Sequence, residues 1–309
     1  MTVPAQEHVV TQPSQAPESV AVAERSSVAP ASRKRRKGQA EGARSPWPAR
    51  VALRLVMPAL IVLVWWLLST DPKFGLFIKD PLTSCERFVT DFLSTDPGSF
   101  FLGDATFQHF LPSVQRALLG LAIALVVGVV VGVLLGISPI MTALFQPLVH
   151  LGRSLPSPAL LGVFFFLFGT GDSPKVFLIA FSIVWPILLN TIDGVSSVGL
   201  ARAQTAAVFR IPRRDVLFSI LLPGAAPKIF AGIRTSLSFS LILMIISELQ
   251  KSENGLGYLL IQSQRNFDYG GFWAVLIALV LLGVAFNVIF KAIERRVLAW
   301  HRGATQQSD

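Results

Sequence analysis

Six runs of apolar residues, each near the length a helix needs to cross hydrocarbon, constrain this chain more than any other feature. About 30 Å of bilayer core takes roughly 20 helical residues, and only helices or closed barrels satisfy their backbone polar groups there. The runs lie at about 51–70, 113–137, 142–168, 175–195, 229–248 and 271–291. Composition agrees: 15% of residues are charged, against about 25% in a soluble domain. The expected fold is an all-α membrane protein with six transmembrane helices.

The net charge of +9 invites a nucleic-acid reading, but the cations are not spread as a binding face. Nine of the 27 Lys and Arg lie in residues 1–54, six in 196–234 and four in 291–309. Clusters beside apolar spans are what the positive-inside rule produces. Threading six spans with the N-terminus inside puts these 19 cations on the cytoplasmic side and leaves only Lys73, Lys79, Arg87, Lys175, Lys251 and Arg265 outside. Both termini are therefore expected in the cytoplasm, with the lipid bilayer rather than nucleic acid as the surroundings.

Outside the membrane domain, expected at 49–298, lie two tails. Residues 1–48 are rich in Ala, Ser, Pro, Gln and Glu and cannot bury a core. The stretch "SRKRRKGQ" (33–40) matches a basic patch for nuclear import or RNA, but beside a span it reads as a disordered tail attracted to anionic headgroups. It makes a poor signal peptide, since the apolar region starts only near Val51. Residues 299–309 form a second cytoplasmic tail. The single cysteine, Cys85, cannot form an intrachain disulfide, and His8, His109, His150 and His301 show no metal-ligand spacing.

Several features inside the spans point to packing or to a path. Trp65 and Trp66 suit an interfacial aromatic belt. Gly120, Ala124, Gly128, Gly132 and Gly136 recur every four residues along the second span, a ridge that admits a close neighbouring helix. The third span is broken by "SLPSP" (154–158), where Pro156 and Pro158 remove donors and disfavour α geometry before them. Such a break marks a transport path, a tight helix joint or a plain kink. Asn190 in the fourth span lines a path or bonds a neighbouring helix. Glu248, at the outer end of the fifth, gates the path, pairs with Lys251 or Arg265, or simply faces water.

Between spans four and five lie about 33 residues, far more than a hairpin needs. "LARAQTAAVFR" (200–210) is good helix sequence, and Pro212 suits the first turn of a second helix, "PRRDVLFSILL". The segment 199–223 thus reads as two short helices meeting near Ile211, with Arg210, Arg213 and Arg214 at the joint. Helices lying flat at the headgroups and a docking surface for a soluble partner both fit.

The order "QTAAVFR" then "LLP" and "GAAPKIFAGIRTSL" resembles the cytoplasmic loop of ABC importer permeases of the binding-protein-dependent class. Their pattern is roughly Glu-Ala-Ala, three residues, Gly, then hydrophobic-Leu-Pro. Counting back nineteen residues from Pro223 lands on Gln204, with Thr205 and Ala206 at the Ala positions, Ala207 following, and Arg210 at the Gly position. Gln204 thus stands where the family has an acid. With a glycine missing, the bend is expected to shift toward Ile211–Pro212. "LFQPLVHLGRSLPSPALLGVFFFLFGTGDSPKVFLIA", "WPILLNTIDG" and "GIRTSLSFSLILMIISEL" resemble the nitrate, sulfonate and taurine branch.

The resemblance implies a multi-pass permease subunit of the cell (plasma) membrane, working as a homodimer. It implies a separate ATPase that binds the ATP and docks on Gln204, Thr205, Ala206, Ala207, Arg210, Arg213 and Arg214. An extracytoplasmic solute-binding protein would deliver a small solute such as nitrate, a sulfonate or taurine. The chain itself has no G-x-x-x-x-G-K-[ST] loop, so it is expected to bind no cofactor and not to be an enzyme. The alternative is a secondary transporter without an ATPase, which calls for intramembrane ionisable groups. The spans hold few: Arg54, Arg116, Asp193 and Glu248 fall in or near span ends, and Arg153 falls within the third. No nucleophile–base pair or paired carboxylates support an embedded enzyme.

Overall fold

The computed structural model describes residues 47–299, with side chains for 55–198 and 208–299. The chain divides into residues 1–53 and 54–309, and the architecture below is that of the second part. The expected tails lie outside the described residues except for Trp47, Pro48 and Ala299.

The described elements are helical apart from an isolated bridge between Leu93 and Leu102. They are α1 (Trp47–Thr70), α2 (Pro81–Phe92), α4 (Pro139–Ser154), α5 (Leu161–Phe168), α6 (Ser173–Val208), α8 (Leu256–Arg265) and α9 (Tyr269–Val297). Two further long helices are α3 (Thr106–Ile137) and α7 (Arg213–Glu248). By length and apolarity, 4 helices (α3, α6, α7 and α9) can cross a membrane, and 5 if α4 and α5 count as one bent span. The side-chain-resolved part of α1, Leu55–Thr70, is a shorter apolar helix.

Proline decides where the helices deform. Leu155, pushed to ψ 128° by the following Pro156, ends α4, and a tight turn at Ser157–Leu160 redirects the chain by 83° into α5. Two widened π turns, Thr106–Phe110 and Val216–Leu221, each end two residues before a proline, Pro112 and Pro223. A proline inside a helix lacks the donor for the carbonyl four residues back and crowds it, and a wider turn relieves both faults.

α6 is the most enclosed long helix, held between α3 and α7. Lipid offers no net hydrophobic drive for such packing, so close approach must supply it. A methyl group on Gly120 would stand 2.6 Å from Ile179 Cγ2, on Gly128 2.9 Å from Ile187 Cγ2, on Gly132 2.6 Å from Thr191 Cβ and on Gly136 2.9 Å from Val195 Cβ. The ridge on α3 and the Ile179–Ile187–Thr191–Val195 row on α6 thus interlock over their whole length. On the opposite side, Gly232 of α7 closes on Asn190, where an added methyl would be 2.9 Å from its Cβ.

The segment between spans four and five departs from expectation. It holds no two separate short helices. α6 continues without a break to Val208, and α7 begins at Arg213 and runs to Glu248. Nothing in "ARAQTAAV" stops a helix, because Ala, Arg and Gln have high helix propensity, so the fourth span simply extends. Only Phe209–Pro212 lies outside helix, with Pro212 as the N-cap of α7 rather than inside it.

Candidate functional site

Two places concentrate chemistry-bearing side chains. The first is the α6–α7 hairpin. Val208, Phe209 and Phe218 are 79%, 73% and 66% exposed around the turn, and Arg210, Arg213 and Arg214 are exposed among them. Arg210 has φ 52°, the left-handed conformation an L-residue adopts at a cost and glycine adopts freely. Arg210 thus takes the left-handed place in the turn, while Ile211 and Pro212 follow it outside helix, so the turn takes in both the family's glycine position and the Ile211–Pro212 joint. Gln204, Thr205, Ala206 and Ala207 occupy the last turns of α6, and their side chains lie outside the described ones.

The second is a buried charge cluster where α3, α7 and two loops meet. Glu248, the last residue of α7, is 1% exposed, and Arg116 of α3 is 2% exposed. The Arg116 guanidinium donates through Nη1 to Glu248 Oε1 at 2.6 Å and through Nε to Asp172 at 2.8 Å. It also donates to the Asn254 backbone oxygen at 3.2 Å and to the Asn254 side chain. Ser113 Oγ lies 2.8 Å from both Glu248 oxygens and accepts from the Leu256 amide at 2.8 Å. Gly257 N–H donates to Glu248 Oε2 at 3.0 Å.

Two glycines let the chain fold over this carboxylate. Gly255 adopts φ 113°, and a methyl group there would stand 2.4 Å from Glu248 Cδ. On Gly257 it would stand 2.8 Å from Glu248 Cβ. His109 Nδ1 accepts from the Gly255 amide at 3.2 Å, and buried Lys175 reaches Asp172 at 3.9 Å. The cluster joins α3, the end of α7, the loop before α8 and the loop before α6.

Glu248 therefore neither pairs with Lys251 or Arg265 nor faces water. Both of those cations are exposed, and Lys251 stands over the Phe165 ring at 5.9 Å. The loop after Glu248 turns back toward α3, which carries Lys251 away and brings Arg116 in. Sequence spacing marked Arg116 and Glu248 separately as rare span-end charges. Their pairing, and the parts of Ser113, Asp172 and Asn254, were not expected.

The other path candidates do not converge on this cluster. Asn190 Nδ2 donates to the Pro186 carbonyl of its own helix at 2.8 Å. Pro156 and Pro158 are exposed at the α4–α5 bend. Gly120, Gly128, Gly132 and Gly136 are buried against α6. Among the described residues, no group of three or more His, Cys, Asp and Glu is placed to hold a metal ion.

Residues 124–299 match the family described as the binding-protein-dependent transport system inner membrane component. The taurine transport system permease protein TauC of Escherichia coli is 29% identical over 82% of this chain and 92% of its own length. The aliphatic sulfonates transport permease protein SsuC of the same species, named as putative, is 31% identical over 82% and 94%. The nitrate import permease protein NrtB of Synechococcus elongatus is 25% identical over 78% and 88%. Among solved structures, a chain of the MetNI methionine ABC transporter in inward-facing conformations superposes with a TM-score of 0.53 at 18% identity, covering 61% of this chain and 94% of that one. At that identity the likeness concerns the fold.

Proposed function

Because the chain belongs to the family of binding-protein-dependent transport inner-membrane components, we propose that it is the translocating subunit of an ATP-driven importer coupled through its α6–α7 hairpin. In this reading a homodimer encloses the path. A separate ATPase binds ATP, and a solute-binding protein delivers a small solute of the nitrate, sulfonate or taurine kind. Six spans with both termini in the cytoplasm put the hairpin on the ATPase side, as the clustering of cations around it favours.

The observation that carries the reading is the charge at the hairpin. Arg213 and Arg214 occupy the first turn of α7. Cations there oppose the helix dipole and cost a few tenths to about 1 kcal/mol at low salt. The positive-inside rule accounts for cations on this side of the membrane, but not for their place in the first turn of a helix, nor for the exposed Val208 and Phe209 beside them. A soluble partner with an acidic-rimmed apolar cleft accounts for both. α6 and α7 continue unbroken from this turn into the membrane, so a push on the turn reaches the spans as rigid-body motion.

Arg213→Glu combined with Arg214→Glu tests it. The expected result is loss of ATPase co-purification and of ATP-dependent uptake, with the permease still inserted and monodisperse. If the doubly reversed variant keeps its ATPase and transports normally, the hairpin is no docking site. Transport by the purified permease without any ATPase would favour a secondary transporter instead.

A further inference from the structure

One face of α4 is polar where the reading above leaves it without a role. Gln146, His150, Arg153 and Ser154 are exposed and recur at helical spacing on one side of the helix. Gln146 Nε2 and His150 Nε2 are 3.4 Å apart, and Ser154 Oγ donates to the His150 carbonyl at 2.7 Å. The opposite side carries Leu144, Leu148 and Leu151, also exposed, at 68%, 59% and 61%. Between these faces, Val149 is buried and Gly152 meets α6. α4 thus presents two different exposed environments flanking its packed edge.

Depth makes the polar face informative. Gly152 abuts the ring of Trp185, which lies twelve residues into α6. At 1.5 Å per residue that is about 18 Å from the start of the helix. The apolar run of α6 covers about 175–195, so Trp185 sits near its middle. Arg153 is the next residue after Gly152, and among the described residues no carboxylate pairs with it. An unpaired guanidinium at the bilayer midplane is strongly unfavourable against lipid and belongs in an aqueous cavity. The bend just beyond, at Leu155–Pro156, leaves non-helical backbone, which at membrane depth is tolerated only inside protein or beside water.

We propose that the Gln146–His150–Arg153 face of α4 lines the aqueous route across the membrane, and that Arg153 receives an anionic group of the transported solute. The inference rests on the permease reading and adds to it the residues that meet the cargo. His150 and Gln146 extend the donor and acceptor row along the route below Arg153. Leu144, Leu148 and Leu151 face lipid or a neighbouring helix.

Single cysteines in a Cys85→Ser background test it, in the full-length chain assembled in its membrane. Two water-soluble thiol reagents of opposite charge serve as probes, the sulfonatoethyl and the trimethylammonioethyl methanethiosulfonates. Gln146→Cys is expected to react at least about tenfold faster than Leu148→Cys with either reagent. At Gln146→Cys the anionic reagent is expected to gain over its ratio with free cysteine, by roughly fivefold from one focused charge. Adding Arg153→Gln should remove that gain, and Arg153→Lys should keep it. Equal rates at positions 146 and 148 overturn the aqueous face, and a charge preference untouched by Arg153→Gln overturns the anion site. Should Arg153→Gln fail to insert, the absence of any anionic gain at Gln146→Cys in the Arg153 and Arg153→Lys chains still overturns the anion site. Neither measurement depends on ATPase docking, so its failure is distinct from failure of the hairpin reading.

Discussion

Glu248 shows how far a single residue could be read. Its place at the end of an apolar run marked it as unusual, as did the scarcity of charge in the spans. Its surroundings were not legible, because Arg116 lies 132 positions away and meets it only once α3 and α7 pack. Removing one partner of a buried, hydrogen-bonded ion pair costs about 3–5 kcal/mol. Glu248→Ala is therefore expected to lower thermal stability in detergent sharply. Glu248→Gln, which retains an acceptor for Ser113 and Gly257, should lose less. Replacing Arg116 and Glu248 together by Met should recover much of the loss, and a double-mutant cycle with no coupling would show the pair to be inert. Arg210 is the second residue of interest. Arg210→Gly relieves a left-handed strain of about 1–2 kcal/mol against a glycine entropy cost of about 0.5–1 kcal/mol. A small rise in melting temperature is expected, while Arg210→Val should lower it.

At the scale of elements, the glycine ridge was legible because a four-residue repeat of small side chains needs no tertiary information. Its partner was not, since any neighbouring helix satisfies the pattern. The structure assigns it to α6, and the contact distances make the assignment testable. Gly132→Val places carbon atoms where Thr191 already stands, and overpacking of this kind costs about 1–3 kcal/mol or more. Gly162→Val is the control, because a methyl group there meets nothing within 4 Å. Loss of monodisperse protein in the first variant and not the second is expected from gel filtration of both. The hairpin illustrates the reverse case. Length and proline position suggested two separate helices, but the high helix propensity of Ala, Arg and Gln through Ala207 carries the fourth span on to Val208 instead.

For the whole molecule, the expected orientation rests on charge and the expected six spans on run length, both read from the sequence. Cys85 lies exposed on α2, in the connection expected outside, and Asp215 lies on the hairpin expected inside. In right-side-out vesicles an impermeant maleimide should label native Cys85. In a Cys85→Ser chain, Asp215→Cys should label only after permeabilisation. The reverse pattern would invert the topology and with it the ATPase side.

The sequence by itself determined that this chain is a helical membrane protein, where most of its spans run, which face of α3 is small and which loop is basic. These follow from local quantities: run length, period and charge count. Only the tertiary structure decided that Glu248 is held by Arg116 and Ser113, that α3 grips α6, that Arg210 takes the left-handed place in the turn, and that Gly152, next to Arg153, packs on Trp185 of α6. Each of these depends on which distant segments meet, and hydrophobicity cannot specify that in a membrane, where every apolar surface is equally at home against lipid. There the choice of neighbours falls to small-residue contacts and buried polar pairs, whose partners are fixed by geometry rather than by composition.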